Sequence, residues 1–91
     1  MTFYHGSSTL GNQHMLLPPV VTGVLQERGR KKNLNMVFFT PDIGTANIYA
    51  GRSKNVNGGI AKIYRVIPMG KVTKINELTY MCEWAFVEPI N

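Results

Sequence analysis

Cysteine is nearly absent from this chain, with Cys82 the only one. That excludes an internal disulfide and a zinc site built from cysteines, and it fits a reducing compartment. Acids and histidines are also scarce: five Asp or Glu residues and two His. Few side chains are therefore available for acid–base chemistry, and no metal site is expected. No apolar run is long enough to span a membrane, and no apolar leader or lipidation signal stands at the N-terminus. A cytoplasmic location is the expectation. Repeats and low-complexity tracts are missing too.

What the chain does have is an ordinary apolar fraction, 44%, spread over 91 residues. One domain over 1–91 is expected, with a core of modest size. Basic residues are in excess, giving a formal charge of +5. This serves solubility, or it meets an anionic partner such as nucleic acid, nucleotide or phosphate. Arg28, Arg30, Lys31 and Lys32 make up four of the ten basic residues. They read as a solvated hairpin or loop, or as an anion or partner contact.

The most informative stretch is Leu34–Gly51. Met36–Phe39 is a short apolar run with β-branched and aromatic residues, which predicts a strand. Thr40 stands at the N-cap position, Pro41 at the first helical position, and Asp42 in the first turn near the positive end of the dipole. Ile43, Ala46, Asn47 and Ala50 recur at helical spacing, and Gly51 suits the C′ position. A helix over Pro41–Ala50 follows. Its Tyr49 and the strand residue Phe38 would turn towards a common cleft.

Elsewhere, Thr2–His5 reads as a strand ending in a Gly6-Ser7-Ser8 turn. Met15–Leu17, stopped by Pro18-Pro19, is an edge segment or buried loop. Val20–Leu25 is apolar and broken by Gly23. Arg52–Gly59 is a polar loop closing on an Asn57-Gly58-Gly59 turn. Ile60–Ile67 alternates as a strand, Pro68-Met69-Gly70 turns the chain, and Lys71–Ile75 is a short strand. Asn76–Tyr80 is loop, and Cys82–Val87 is the last strand. The fold class is a β-rich α+β domain with one main helix.

Two polar residues stand out. His5 ends an aromatic strand beside a glycine, where a ligand can approach the backbone; His14, among Asn12 and Gln13, reads as a surface residue. Glu83 interrupts an apolar run. Period-2 alternation puts it on one face with Ala85 and Val87, so a partly buried carboxylate is expected, either paired with a Lys or Arg or functional.

The order of these pieces resembles the ADP-ribosyltransferases of the His-Tyr-Glu type, above all poly(ADP-ribose) polymerase catalytic domains and the small rifampin ADP-ribosyltransferases. The resemblance covers most of the chain. Tyr4-His5-Gly6-Ser7 resembles the family's aromatic-His-Gly-Ser/Thr opening, and Val37-Phe38-Phe39-Thr40 its central aromatic strand. Ala46-Asn47-Ile48-Tyr49 follows near the helix end. Ile63-Tyr64-Arg65-Val66 with Pro68-Met69-Gly70 resembles the next strand and turn, and Cys82–Val87 the closing Glu-aromatic strand.

The resemblance implies a compact ADP-ribosyltransferase-like domain using NAD as substrate. His5, Gly6 and Ser7 would belong to the NAD-binding set: His5 on the adenosine-side ribose, the Gly6 backbone on the nicotinamide carboxamide. Phe38 and Tyr49 would sandwich the nicotinamide ring. Glu83, with His5, would be catalytic, Glu83 contacting the 2′-hydroxyl of the nicotinamide ribose. Phe38 replaces the usual tyrosine, and Ala46 replaces the serine that the polymerases carry before the second clamp ring. No acid occurs in Lys71–Ile75, where the rifampin enzymes have an aspartate.

Three functions follow. The first is a small ADP-ribosyltransferase that cleaves NAD and transfers ADP-ribose to an unidentified acceptor, protein or nucleic acid among them. The second is a non-catalytic module of the same fold that binds NAD, ADP-ribose or a related nucleotide, such as an inhibitory or anti-defence factor of a phage acting in the host cytoplasm. The third is a nucleic-acid-binding domain whose aromatics, Phe38, Tyr49, Tyr64 or Trp84, stack on bases.

Overall fold

The computed structural model describes residues 1–11, 13–18 and 35–90. Val20–Leu25 and the basic residues Arg28, Arg30, Lys31 and Lys32 lie outside them. The described elements are β1 (Phe3–Ser7), β2 (Met15–Leu16), β3 (Val37–Phe39), α1 (Ile43–Asn57), β4 (Lys62–Met69), β5 (Thr73–Asn76), β6 (Thr79–Cys82) and β7 (Trp84–Pro89). The class is α+β, mostly sheet with one helix among the described residues.

The strands form two antiparallel sheets. The first runs β1-β4-β7-β2 and the second β3-β6-β5. Register puts His5 opposite Tyr64, Gly6 opposite Ile63, and Phe38 opposite Met81. The core lies between the sheets. Leu16, Tyr64, Val66, Ala85 and Val87 come from the first sheet, Val37, Phe39 and Cys82 from the second, and Leu10 from a loop. Phe3 packs against Phe39 and Tyr80, with ring centroids 4.7 and 5.0 Å apart. The outer face of the first sheet carries α1, which packs mainly on β1.

Several expected boundaries move. Helix α1 starts later and ends later than Pro41–Ala50. Thr40 is not its N-cap, because the Thr40 backbone is already paired with Tyr4 in both directions, at 2.7 and 2.9 Å. The Thr40 hydroxyl accepts the Asp42 N–H at 3.1 Å. Asp42 is the N-cap instead, its carboxylate accepting the Thr45 N–H at 2.8 Å and the Thr45 hydroxyl at 2.7 Å. Nor does Gly51 end the helix. Residues Arg52–Asn57, expected as loop, are helical, and the chain turns out at Gly58, with φ 75°. An interior glycine costs only about 1 kcal/mol. The extension is anchored where the Ser53 hydroxyl accepts the Ser8 N–H at 3.2 Å and meets the Ser8 hydroxyl at 3.0 Å.

Gly6 and Ser7 belong to β1 rather than to a turn. Strand β4 is shifted from Ile60–Ile67 and includes Pro68 and Met69. β1 reaches only to the Val66 row, so Pro68 has a neighbouring strand on one side alone, where a residue without N–H is tolerated. The expected loop Asn76–Tyr80 contains the β5–β6 hairpin turn and the start of β6. The last expected strand, Cys82–Val87, is two strands meeting at Glu83. Cys82 closes β6 in one sheet and Trp84 opens β7 in the other.

Candidate functional site

Strands β1 and β3 meet at a single bridge, Tyr4 with Thr40. Past it the two strands are no longer paired, and the His5 side chain spans the opening. Its Nδ1 lies 2.8 Å from the Phe38 carbonyl oxygen. A carbonyl only accepts, so Nδ1 carries the proton and donates; this fixes the tautomer of a neutral ring. His5 and Phe38 are both half-buried. Sequence reasoning chose His5 for its place at a strand end beside a glycine and Phe38 for its ring, and missed this contact, because a backbone acceptor is available at every residue and no residue type marks it.

Gly6 follows His5 and points the other way, beneath α1. The closest approach is to Ala46 and Ala50, both buried. Tyr49 lies one turn on from Ala46 and next to Ala50, half-buried, with the Arg52 guanidinium 5.9 Å from its ring centroid. Strand alternation gives Phe38 the same face as Thr40, since Val37 and Phe39 turn into the core. His5, Gly6, Phe38 and Tyr49 thus come from three elements, of which β1 adjoins both β3 and α1.

Ser7 is buried, and its hydroxyl is used locally. It accepts the Thr9 N–H at 3.1 Å and meets the Thr9 hydroxyl at the same distance. This is a side-chain-to-backbone turn that ends β1.

Glu83 is exposed at the bend between β6 and β7, not on a partly buried strand face. Ala85 and Val87 do face the core, but the bend interrupts the alternation that grouped Glu83 with them. The burial argument for a function of Glu83 therefore falls. The preceding residue, Cys82, pairs with Val37, next to Phe38. The Cys82 thiol is pushed above its ordinary value of 9.0, chiefly by burial, and the Glu83 charge adds to the rise. Its Sγ donates to the Trp84 carbonyl at 3.1 Å, which fastens the bend.

Of the other candidates, His14 is exposed, and its backbone carbonyl accepts the Val87 N–H at 2.8 Å. Tyr64 is fully buried in the core and donates to the Gly11 carbonyl at 2.8 Å, so its ring is not offered to a base. Among the described residues, no three His, Cys, Asp or Glu side chains gather as metal ligands, and no helix is long and apolar enough to cross a membrane. No family model, curated protein or solved structure matches the chain.

Proposed function

We propose that the chain takes NAD as substrate in the opening between β1 and β3, cleaves the bond between nicotinamide and ribose, and passes ADP-ribose to an acceptor. One observation carries the reading: the His5 ring donates to the Phe38 carbonyl where the two strands part, beside the helix that bears Tyr49. In this reading the His5 ring, the Gly6 backbone and the rings of Phe38 and Tyr49 would border one gap.

In this reading Phe38 and Tyr49 hold the nicotinamide ring, His5 orients the ribose, and the Gly6 backbone meets the carboxamide. Holding the leaving group still removes much of the entropic barrier. The glycosidic C1′–N bond breaks and its electron pair stays with nicotinamide, discharging the pyridinium. C1′ becomes oxocarbenium-like and is captured by an acceptor oxygen or nitrogen that gives up its proton. The Glu83 carboxylate opposes the charge developing on the ribose.

A second reading is favoured by the exposure of Glu83. A carboxylate in water stabilises a developing cation weakly, and the same gap then binds NAD or ADP-ribose without turnover. Incubation with NAD labelled in both the nicotinamide and the adenosine halves separates the two. Nicotinamide release with transfer of the adenosine label supports the enzyme; saturable binding without release supports the binding module. Absence of both binding and release refutes the site.

A further inference from the structure

Gly6 is the point at which α1 comes closest to β1. A Cβ on Gly6 would overlap the Ala46 carbonyl oxygen and stand 2.6 Å from the Ala50 amide nitrogen, whereas real Cβ contacts essentially never fall under 3.0 Å. Both neighbours are backbone atoms and cannot rotate aside. Gly6 has no positive φ and keeps ordinary register with Ile63. Glycine is needed here for close approach and not for a left-handed backbone. The facing helix surface is equally small, with Ala46 0% and Ala50 1% exposed.

We infer that Gly6, with Ala46 and Ala50, acts as a positioning device for the nucleotide site. The missing Cβ sets the depth at which α1 seats on β1, and that depth sets where Tyr49 stands relative to Phe38. The inference rests on the functional reading above. Tyr49 rides on the helix, one residue from Ala50. His5 and Phe38 belong to the strands and are tied to each other by their hydrogen bond. Lifting α1 therefore moves one wall of the gap and leaves the other in place. Dispersion is steep enough for this to matter, since a radial gap of about 0.5–1 Å forfeits a quarter to a half of the contact well.

The test uses Gly6→Ala, together with Gly51→Ala as a compensating change. A Cβ at Gly51 meets nothing within 4 Å, so Gly51→Ala strengthens the helix without moving it. Nicotinamide affinity is read by calorimetry, stability by thermal unfolding, and ring positions by NMR of the unliganded protein. Gly6→Ala/Gly51→Ala is expected to bind nicotinamide at least 10-fold more weakly. Its Tyr49 ring resonances should shift while the His5 Nδ1 proton signal stays. If this variant does not fold, Ala50→Ser/Gly51→Ala, which adds one atom to the same seam, replaces it, with a shift in the same direction and a smaller loss. A folded variant with unshifted Tyr49 resonances overturns the inference, as does one with wild-type affinity. If the wild type itself binds no nicotinamide, the functional reading fails, and the Tyr49 resonances alone decide whether the seam positions that ring.

Discussion

At the scale of single residues, Glu83 is where the two proposed readings, enzyme and binder, differ in what they expect. It sits at a bend in water, so burial no longer argues for a role, and only its effect on turnover does. A group that acts on charge developing in the transition state affects rate more than ground-state affinity. On the enzyme reading, in which bound NAD shields Glu83 from water, Glu83→Gln keeps NAD affinity and releases nicotinamide at least ~10²-fold more slowly; equal release rates from the two proteins would remove Glu83 from catalysis. Tyr49 predicts the opposite pattern. Tyr49→Ala should weaken NAD binding by about 1–3 kcal/mol, the size of one stacking contact, and unchanged affinity in calorimetry would remove it from the clamp. Cys82, by contrast, is expected to be inert. It is buried, its thiol is held protonated at neutral pH, and thiolate is the reactive form. Iodoacetamide should label Cys82 much more slowly in native protein than in denaturant, and equal rates would contradict its burial.

At the scale of elements, α1 joins local signals to tertiary anchoring. Its N-cap predicts a pH dependence. Hydrogen bonds from Thr45, first from its hydroxyl and then from its backbone N–H, hold the Asp42 carboxyl below its ordinary value of 3.8. A depressed folded-state value means that the stabilisation is fully present above the unfolded value and is lost as pH falls through the folded one. The melting-temperature gap between wild type and Asp42→Ala should be full at neutral pH and narrow as pH drops below about 3.8. A gap that stays constant down to pH ~2 would mean that the carboxylate charge contributes nothing to the cap. The far end of α1 depends on Ser53 and Ser8, a contact between residues 45 positions apart. A local reading that stops the helix at Gly51 has no access to it.

At the scale of the whole molecule, α1 covers only part of the outer face of the first sheet. Ile67, Phe86 and Met15 form a row across β4, β7 and β2, at 42%, 40% and 40% exposure. Trp84, two residues along β7, packs edge-on against Phe86, centroids 4.9 Å apart. Apolar surface of this kind binds hydrophobic dyes. Ile67→Thr keeps a β-branched residue at the position. It should lower dye fluorescence and shift the melting temperature by no more than roughly 4 °C, the effect of an exposed substitution in a domain of this size. A larger drop in melting temperature would show that Ile67 belongs to the core.

The sequence by itself determined the α+β class and most of the elements, because alternation, apolar runs and helical spacing are local properties carried by neighbouring residues. It also singled out His5, Phe38, Tyr49 and Glu83 as residues whose chemistry needed explaining. Tertiary structure decided what surrounds them. The Tyr4–Thr40 bridge took the Thr40 backbone and moved the N-cap to Asp42. The end of β1 left Pro68 room inside a strand. The change of sheet at Glu83 broke a two-residue period and brought the carboxylate into water. The His5 ring found a backbone carbonyl 33 residues away, and Gly6 found the backbone of a helix. Each of these depends on which backbone groups and surfaces are brought together at long range, and side-chain periodicity encodes no such pairing.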